Sequence, residues 1–139
     1  MANLSITAAN VSAADGEVSK QEWTAGATIT AGQVVYLDST ASNVAKLAQS
    51  DGTSAEAEIQ GIAMNGASSG QPVIIATSGD IDLGATLTVG TIYVLSQTAG
   101  GICPAADLTT GDYVSVIGVA TAADNLEIAL TNSGVEVPA

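Results

Sequence analysis

The sequence of 139 residues contains no histidine, no phenylalanine, one cysteine and two basic residues. Without histidine, nucleophile arrangements of the Ser-His and Cys-His types are excluded, and so is any metal site with histidine ligands. The single cysteine, Cys103, cannot form a disulfide within the chain. We expect it to be a small buried apolar side chain beside Pro104.

Basic residues are so few that fourteen acidic residues leave a formal net charge of −12. This charge repels phosphate backbones and anionic lipid surfaces, so we predict neither a nucleic-acid nor a membrane partner. No stretch approaches the length of a membrane span. The first ten residues lack the basic and apolar regions of a secretion signal, so none is predicted.

The two lysines, Lys20 and Lys46, do not stand at the Ser-x-x-Lys spacing that would place a base beside a nucleophile on a helix. We interpret both as solvated surface charges. Neither a Walker-type phosphate loop nor a Gly-x-Gly-x-x-Gly fingerprint between a strand and a helix is present.

Paired carboxylates are the remaining candidates for chemistry. Asp80 and Asp82 are two residues apart and would project from one strand face, where they could hold calcium or act as acid and base. The third ligand and the terminal Glu of a calcium loop are missing, so we interpret the pair as a solvent-facing turn. Glu56 and Glu58 receive the same interpretation. The sequence therefore predicts a protein that is not an enzyme and has no catalytic residues, metal site, cofactor or small-molecule substrate.

The residues that are abundant favour strands. Hydrophobic residues make up 47% of the chain, enough for the core of one domain, while aromatic residues make up only 3%. Thr, Val and Ile recur in short runs broken by Gly, Asn, Asp and Ser, as in strands joined by tight turns. We predict an all-β fold.

An internal repeat is the clearest pattern in the sequence. Residues 26–41 match residues 84–99 without a gap, at a constant offset of 58. Gln60-Gly-Ile-Ala63 matches Ile117-Gly-Val-Ala120 at 57, and residues 73–76 align with 126–129 at 53. The shrinking offset indicates shorter loops in the second copy. The longest loop of the first copy, residues 50–58, includes a segment that could form one helical turn.

Each copy predicts about four short strands. In Gly-x-Thr-x-Thr-x-Gly the threonines would lie on one face of a strand, and the flanking glycines permit sharp changes of direction. The runs 34–37 and 92–95 are predicted as strands buried on both faces, or on one face with tyrosine on the other. We therefore predict a small barrel or sandwich of two pseudo-repeated strand-turn-strand units, about 26–76 and 84–130, within one domain at 24–139.

The first 23 residues are predicted to be an extended N-terminal arm followed by a lead-in strand at about 18–23. Leu4 and Ile6 would face one side of an extended strand, and Val11 is the next apolar point. Such an arm can add to the sheet of a partner, and the alternative is a frayed terminus. Leu4, Ile6 and Val11 are the candidate binding residues.

Duplicated glycine-rich hairpins also occur in small barrels that carry lipoyl or biotinyl groups. Those barrels present a lysine at a hairpin tip. Lys46 lacks the acidic or methionine neighbours of such a tip, and it has no lysine counterpart in the second copy. The sequence does not favour this class.

Six segments together resemble the capsid decoration (cement) proteins of tailed bacteriophages: residues 4–11, 24–37, 61–63, 70–73, 93–96 and 100–104. The most distinctive is Gly100-Gly-Ile-Cys-Pro104. This resemblance covers nearly the whole chain, and its motifs are structural rather than catalytic.

The resemblance implies a protein that is made in the host cytoplasm and added to the outer surface of the virion. There it would bridge and stabilise major capsid proteins, as a homotrimer, with the N-terminal arm pairing with a capsid strand. The alternative is another virion or cell-surface β module, such as a tail, fibre or adhesin domain that binds glycan or receptor. Such a binder is expected to expose clustered aromatic side chains.

Overall fold

The computed structural model describes residues 4, 6–7, 11–13, 18–39, 44–52 and 55–138. Within these residues the chain is all-β, as predicted, with ten strands and a 3-10 helix at Ala105–Asp107. The strands are β1 (Ser12–Ala13), β2 (Ser19–Thr24), β3 (Val34–Asp38), β4 (Val44–Leu47), β5 (Ile59–Ala63), β6 (Pro72–Asp82), β7 (Ile92–Leu95), β8 (Ile102–Pro104), β9 (Tyr113–Ala120) and β10 (Asn125–Glu136).

These strands form one sheet that curls into a half-barrel. Its order is β4-β3-β5-β6-β10-β9-β7-β8, and the ladders between neighbours are antiparallel. The two strands nearest the N-terminus, β1 and β2, both pair with β6. The predicted lead-in strand is therefore β2, and it lies within the sheet.

The internal repeat is visible in the order of the strands. The first copy runs β4-β3-β5-β6 and the second runs β8-β7-β9-β10, so the two are joined through β6 and β10. In both copies the ladder shifts register at the same place, after Val35 opposite Gly61 and after Tyr93 opposite Gly118. The predicted duplication is thus confirmed down to a β-bulge.

The sequence alignment of the last strands was wrong by two residues. Ala63 pairs with Ile75, and its counterpart Ala120 pairs with Leu126. The structural offset of these strands is therefore 51 rather than 53. A slip of two residues leaves every side chain on the same face of a strand, so the hydrophobic pattern could not distinguish the two alignments.

The long strand β6 reverses its faces along its length. Ala76 and Ile81 both belong to the main core, although residues five apart on a regular strand face opposite sides. Between them the ladder with β2 shifts register opposite Ser19 and Lys20, and Gly79 has φ 101°, a conformation that other residues rarely adopt. The first part of β6 pairs with β2 and β5, and the part after Gly79 pairs with β10.

Two hydrophobic cores result from the curl. The main core lies between the two repeats, and its largest fully buried members include Ile59, Ile62, Ile81, Leu95, Ile117 and Leu126. The second core lies on the opposite face of the first repeat and contains Ala25, Ile29, Val35, Ala45, Ala63, Ala67, Val73 and Ile75. Three half-buried side chains, Trp23, Leu37 and Leu47, border this second core.

Two local predictions differ from the structure. The segment 26–32 is not a strand, because it bends at 26–27 and turns at 31–32; Thr28 and Thr30 are exposed and Ile29 is buried, as expected, but only Ile29 makes a β-bridge, to Ala67. The loop at 50–58 shows turns, and no helix, in its described residues. The N–H of Glu58 donates to the carbonyl oxygen of Ala55 at 3.2 Å, which closes a single turn.

Candidate docking surface

The described N-terminal residues lie against the chain's own body. The backbone N–H of Leu4 donates to the carbonyl oxygen of Ile102 at 2.8 Å, and that of Thr7 donates to Gly84 at 3.0 Å. Leu4 thereby covers part of the edge of β8, the last strand in the sheet order. An uncovered strand edge is a template for pairing with another chain.

The predicted binding residues meet at one turn of the first repeat. Leu4 and Ile6 are half-buried and both pack against the main core. A methyl group added at Gly32 would lie 2.5 Å from Cγ2 of Ile6 and 3.1 Å from Cγ2 of Val11. The three residues therefore contact this chain in the structure, and their contact with a capsid stays a prediction.

Beside Leu4 and Ile6 lies a groove with a cavity of about 250 Å³. One wall is the turn at 30–33 of the first repeat, and the other is the loop at 98–101 of the second. The groove was not predicted from the sequence. The sequence feature that marks the groove is the motif that begins at Gly100. Its role in the groove depends on how the two repeats pack, which the sequence does not show.

Gly100 holds the two walls together. Its carbonyl oxygen accepts from the N–H of Val34 at 3.0 Å, and its own N–H donates to Ala48 at 2.7 Å. With φ 76° it adopts a left-handed conformation, and an added Cβ would lie 3.0 Å from Leu47 and 3.1 Å from Gln33. Glycine is required both for the backbone angle and for the close approach.

The loop at 50–58 also joins the repeats. The N–H of Ser50 donates to Ser96, and the carbonyl oxygen of Ser50 accepts from Tyr113. Farther along, Oγ of Ser115 donates to the carbonyl oxygen of Ala57 at 2.5 Å. The described part of this loop therefore binds the second repeat of its own chain.

Asp112 is a buried carboxylate at the same junction, and it is satisfied locally. Its oxygens accept from Nε2 of Gln97 at 2.8 Å, from the N–H of Thr109 at 2.9 Å and from the hydroxyl of Thr109 at 3.1 Å. This arrangement fixes a loop, because all three donors come from neighbouring loop residues. It leaves the carboxylate buried without access for a substrate.

The acidic candidates from the sequence do not form a ligand cluster. Asp80 and Asp82 lie in the last residues of β6, not in a turn, and Oδ1 of Asp82 accepts from the N–H of Gly84 at 2.8 Å. Glu56 is half-buried and Glu58 is exposed. Among the described residues, no three Cys, Asp or Glu side chains come close enough to hold a metal ion.

The two lysines and the cysteine match their predicted roles in part. Lys20 is exposed, whereas Nζ of Lys46 bonds Oδ2 of Asp38 at 2.8 Å, which raises the pKa of Lys46. Cys103 is fully buried, as predicted. Burial, and to a lesser degree the charges of Asp107 and Asp112, raises the pKa of the Cys103 thiol to about 11, which suppresses the reactive thiolate.

The four aromatic residues are spread over the molecule. Tyr36 and Tyr93 are buried in the main core, and Tyr113 is half-buried against it. Trp23 borders the second core on the opposite face of the first repeat, and its Nε1 is buried without a hydrogen-bond partner. They do not form one exposed platform of the kind that binds sugars.

No protein-family model matches this chain, and no curated protein matches it. In the described part of the chain, no helix is long and apolar enough to span a membrane.

Proposed function

We propose that this chain is a structural virion protein that binds the outer surface of a phage capsid and stabilises it by bridging major capsid proteins. The observation that carries the proposal is the placement of the N-terminal segment. Its described residues between 4 and 7 lie on a strand edge and beside a groove, where they could exchange their contacts with the body for a strand of a partner. The family resemblance of the sequence supports the same role.

Strand exchange by residues 4–7 would leave the pairing of β1 with β6 in place. Leu4 and Thr7 each give one backbone hydrogen bond to the body, and each such bond contributes about 1 kcal/mol to stability. Leu4 and Ile6 are only half-buried, so their release exposes part of two side chains. A capsid strand that offers equivalent backbone bonds and a fuller apolar pocket would draw the arm away from its own body.

The rest of the molecule suits a rigid clamp. The two repeats are fixed to each other through one continuous sheet, a shared core and the loop at 50–58. A rigid body with an exchangeable arm can contact two capsid subunits at once, and linking two weak contacts raises the overall affinity. We also propose a homotrimer, in which each of three copies would contribute such contacts to the capsid.

The test is binding to undecorated phage heads by co-sedimentation. Deletion of residues 2–14 is expected to weaken binding at least tenfold, because the apolar points of the arm are lost. The control is Thr7→Ala, which changes an exposed side chain and keeps the backbone bond to Gly84. Circular dichroism must show that both variants remain folded.

Unchanged binding by the folded deletion variant would refute the role of the arm. Decorated heads are also expected to resist heat better than undecorated heads, and equal heat resistance would contradict stabilisation. A strong signal on a glycan array, with no binding to heads, would replace this proposal with a receptor-binding role.

A further inference from the structure

The same glycine turn occurs once in each repeat. Gly32 has φ 92° and Gly90 has φ 84°, and they are 58 residues apart. The N–H of Gly32 donates to Ala63 at 2.8 Å, and the N–H of Gly90 donates to the corresponding Ala120 at 2.9 Å. The two turns are therefore equivalent sites built from equivalent bonds.

One of these turns is covered and the other is bare. The N-terminal segment lies over Gly32, whereas a methyl group added at Gly90 would meet no atom within 4 Å. Ala31, the residue before Gly32, is 8% exposed, while its counterpart Val89 is 61% exposed. The bare turn thus carries the larger apolar side chain.

The difference continues along the adjoining sheet face. Val34 pairs with Ile62 in the first repeat, and its counterpart Ile92 pairs with Val119 in the second. Val34 is fully buried, whereas Ile92 is 50% exposed. We define the Val89 patch as Val89, Ile92, Val116 and Val119, whose first-repeat counterparts Ala31, Val34, Ile59 and Ile62 are all buried.

The first repeat shows what covers such a face. Val34 and Ile62 share the main core with Tyr93 and Leu95, which lie on the opposite face of the second repeat from Ile92. The two repeats are therefore stacked head to tail, one face against the opposite face of the next. The Val89 patch is the face that would receive a third unit.

We propose that the Val89 patch binds the first repeat of a second copy of this chain. The surface that would be presented is the outer side of Trp23, Leu37 and Leu47, which border the second core, because this side of the first repeat corresponds to the side of the second repeat that covers Val34; the second core beneath it is already buried. These three side chains are half-buried and apolar, which suits an interface. Self-association is also part of the proposed function, as a homotrimer, but this inference is argued from the geometry of the repeats and can fail while capsid binding holds.

Charge defines the edge of this interface. Glu127 is exposed beside Val119, where the first repeat has buried Ala76, so a partner must leave this carboxylate in water and the interface can extend over Val89 and Ile92 but not over Glu127. Each chain has a net charge of −12, so two copies repel each other at low salt. Added salt screens this repulsion and is expected to strengthen the association.

The test is sedimentation equilibrium of the intact chain from 1 µM to about 1 mM, at low and high salt. The wild type is expected to associate, more tightly at high salt. Val89→Asp and Ile92→Asp are expected to raise the dissociation constant at least tenfold. Val135→Asp is the matched control, since Val135 is 60% exposed but lies outside the patch.

Three results would overturn the proposal: a wild type that stays monomeric at high salt, equal association by the Val89→Asp variant, or equal weakening by the control. Loss of association on deleting residues 2–14 alone would identify the arm as the occupant instead. The emission of Trp23, the single tryptophan, is expected to shift to shorter wavelength on association. Association through the patch without this shift would refute the head-to-tail arrangement.

Discussion

A glycine beside each β-bulge fixes how closely neighbouring strands approach. Gly61 in β5 and Gly118 in β9 are counterparts, and an added Cβ would overlap the carbonyl oxygen of Ala76 at the first and of Glu127 at the second. Neither contact is with a flexible side-chain end, so neither can be relieved by a rotamer change. We predict that Gly61→Ala and Gly118→Ala are strongly destabilising.

The magnitude follows from the overlap. A carbon and a carbonyl oxygen in contact need roughly 1 Å more than the structure allows at either position, so the strands must move apart. Overpacking of this kind costs about 1–3 kcal/mol, and each ladder hydrogen bond that is stretched or lost adds about 1 kcal/mol. We expect each variant to lose about 2–4 kcal/mol in the free energy of unfolding.

Urea unfolding followed by circular dichroism measures this loss. The matched control is Gly66→Ala, because a Cβ at Gly66 would lie 3.6 Å from the carbonyl oxygen of Ile29, an ordinary contact. The control is expected to unfold within about 0.5 kcal/mol of the wild type. If Gly118→Ala also remains within that range, the strands are not held as closely as the structure indicates and the reasoning is wrong.

Two further predictions concern the junction between repeats and the buried thiol. Asn132→Ala removes both side-chain hydrogen bonds to the backbone of Ile59, so we expect a loss of about 1–2 kcal/mol in urea unfolding, and an unchanged midpoint would contradict this. Burial raises the pKa of Cys103 from 9.0 to about 11, so the folded chain keeps a proton that the unfolded chain releases. Between pH 9 and 11 the wild type is therefore expected to lose up to about 3 kcal/mol more stability than Cys103→Ala, which keeps only the contribution of other groups with a raised pKa, such as Tyr36. Parallel pH profiles of the two proteins would refute this.

The repeat could be predicted from the sequence because its elements are local. Turn glycines such as Gly32 and Gly90 must occupy fixed positions relative to the strands that follow, so a constant offset survives in the sequence. The offset between the last strands could not be predicted correctly. It depends on which residue of β6 or β10 faces its neighbour, and shifts of two residues preserve the pattern of faces.

The candidate surfaces were only partly predictable. Leu4 and Ile6 were found from their spacing, and the structure places both on one core. The groove beside them depends on contacts between residues far apart in sequence, such as Val34 and Gly100. The Val89 patch was hidden for a different reason. Apolar residues at equivalent positions are buried in the first repeat and partly exposed in the second. The sequence shows that these positions are apolar, but it does not show which copy is buried.

The two proposals together predict when the N-terminal segment stays on its own body and when it leaves. While the N-terminal segment covers the turn at Gly32, the equivalent turn of the second repeat, next to the Val89 patch, is the exposed one of the two. If the arm left for a capsid strand as proposed, the turn at Gly32 and the edge of β8 would become free together, because Ile6 and Leu4 cover them as parts of one segment. Arm release would therefore expose the groove between the repeats, whereas self-association through the Val89 patch would leave it covered. Methyl signals of Ile6 and Val89 can distinguish these events, since each residue reports on one of them alone.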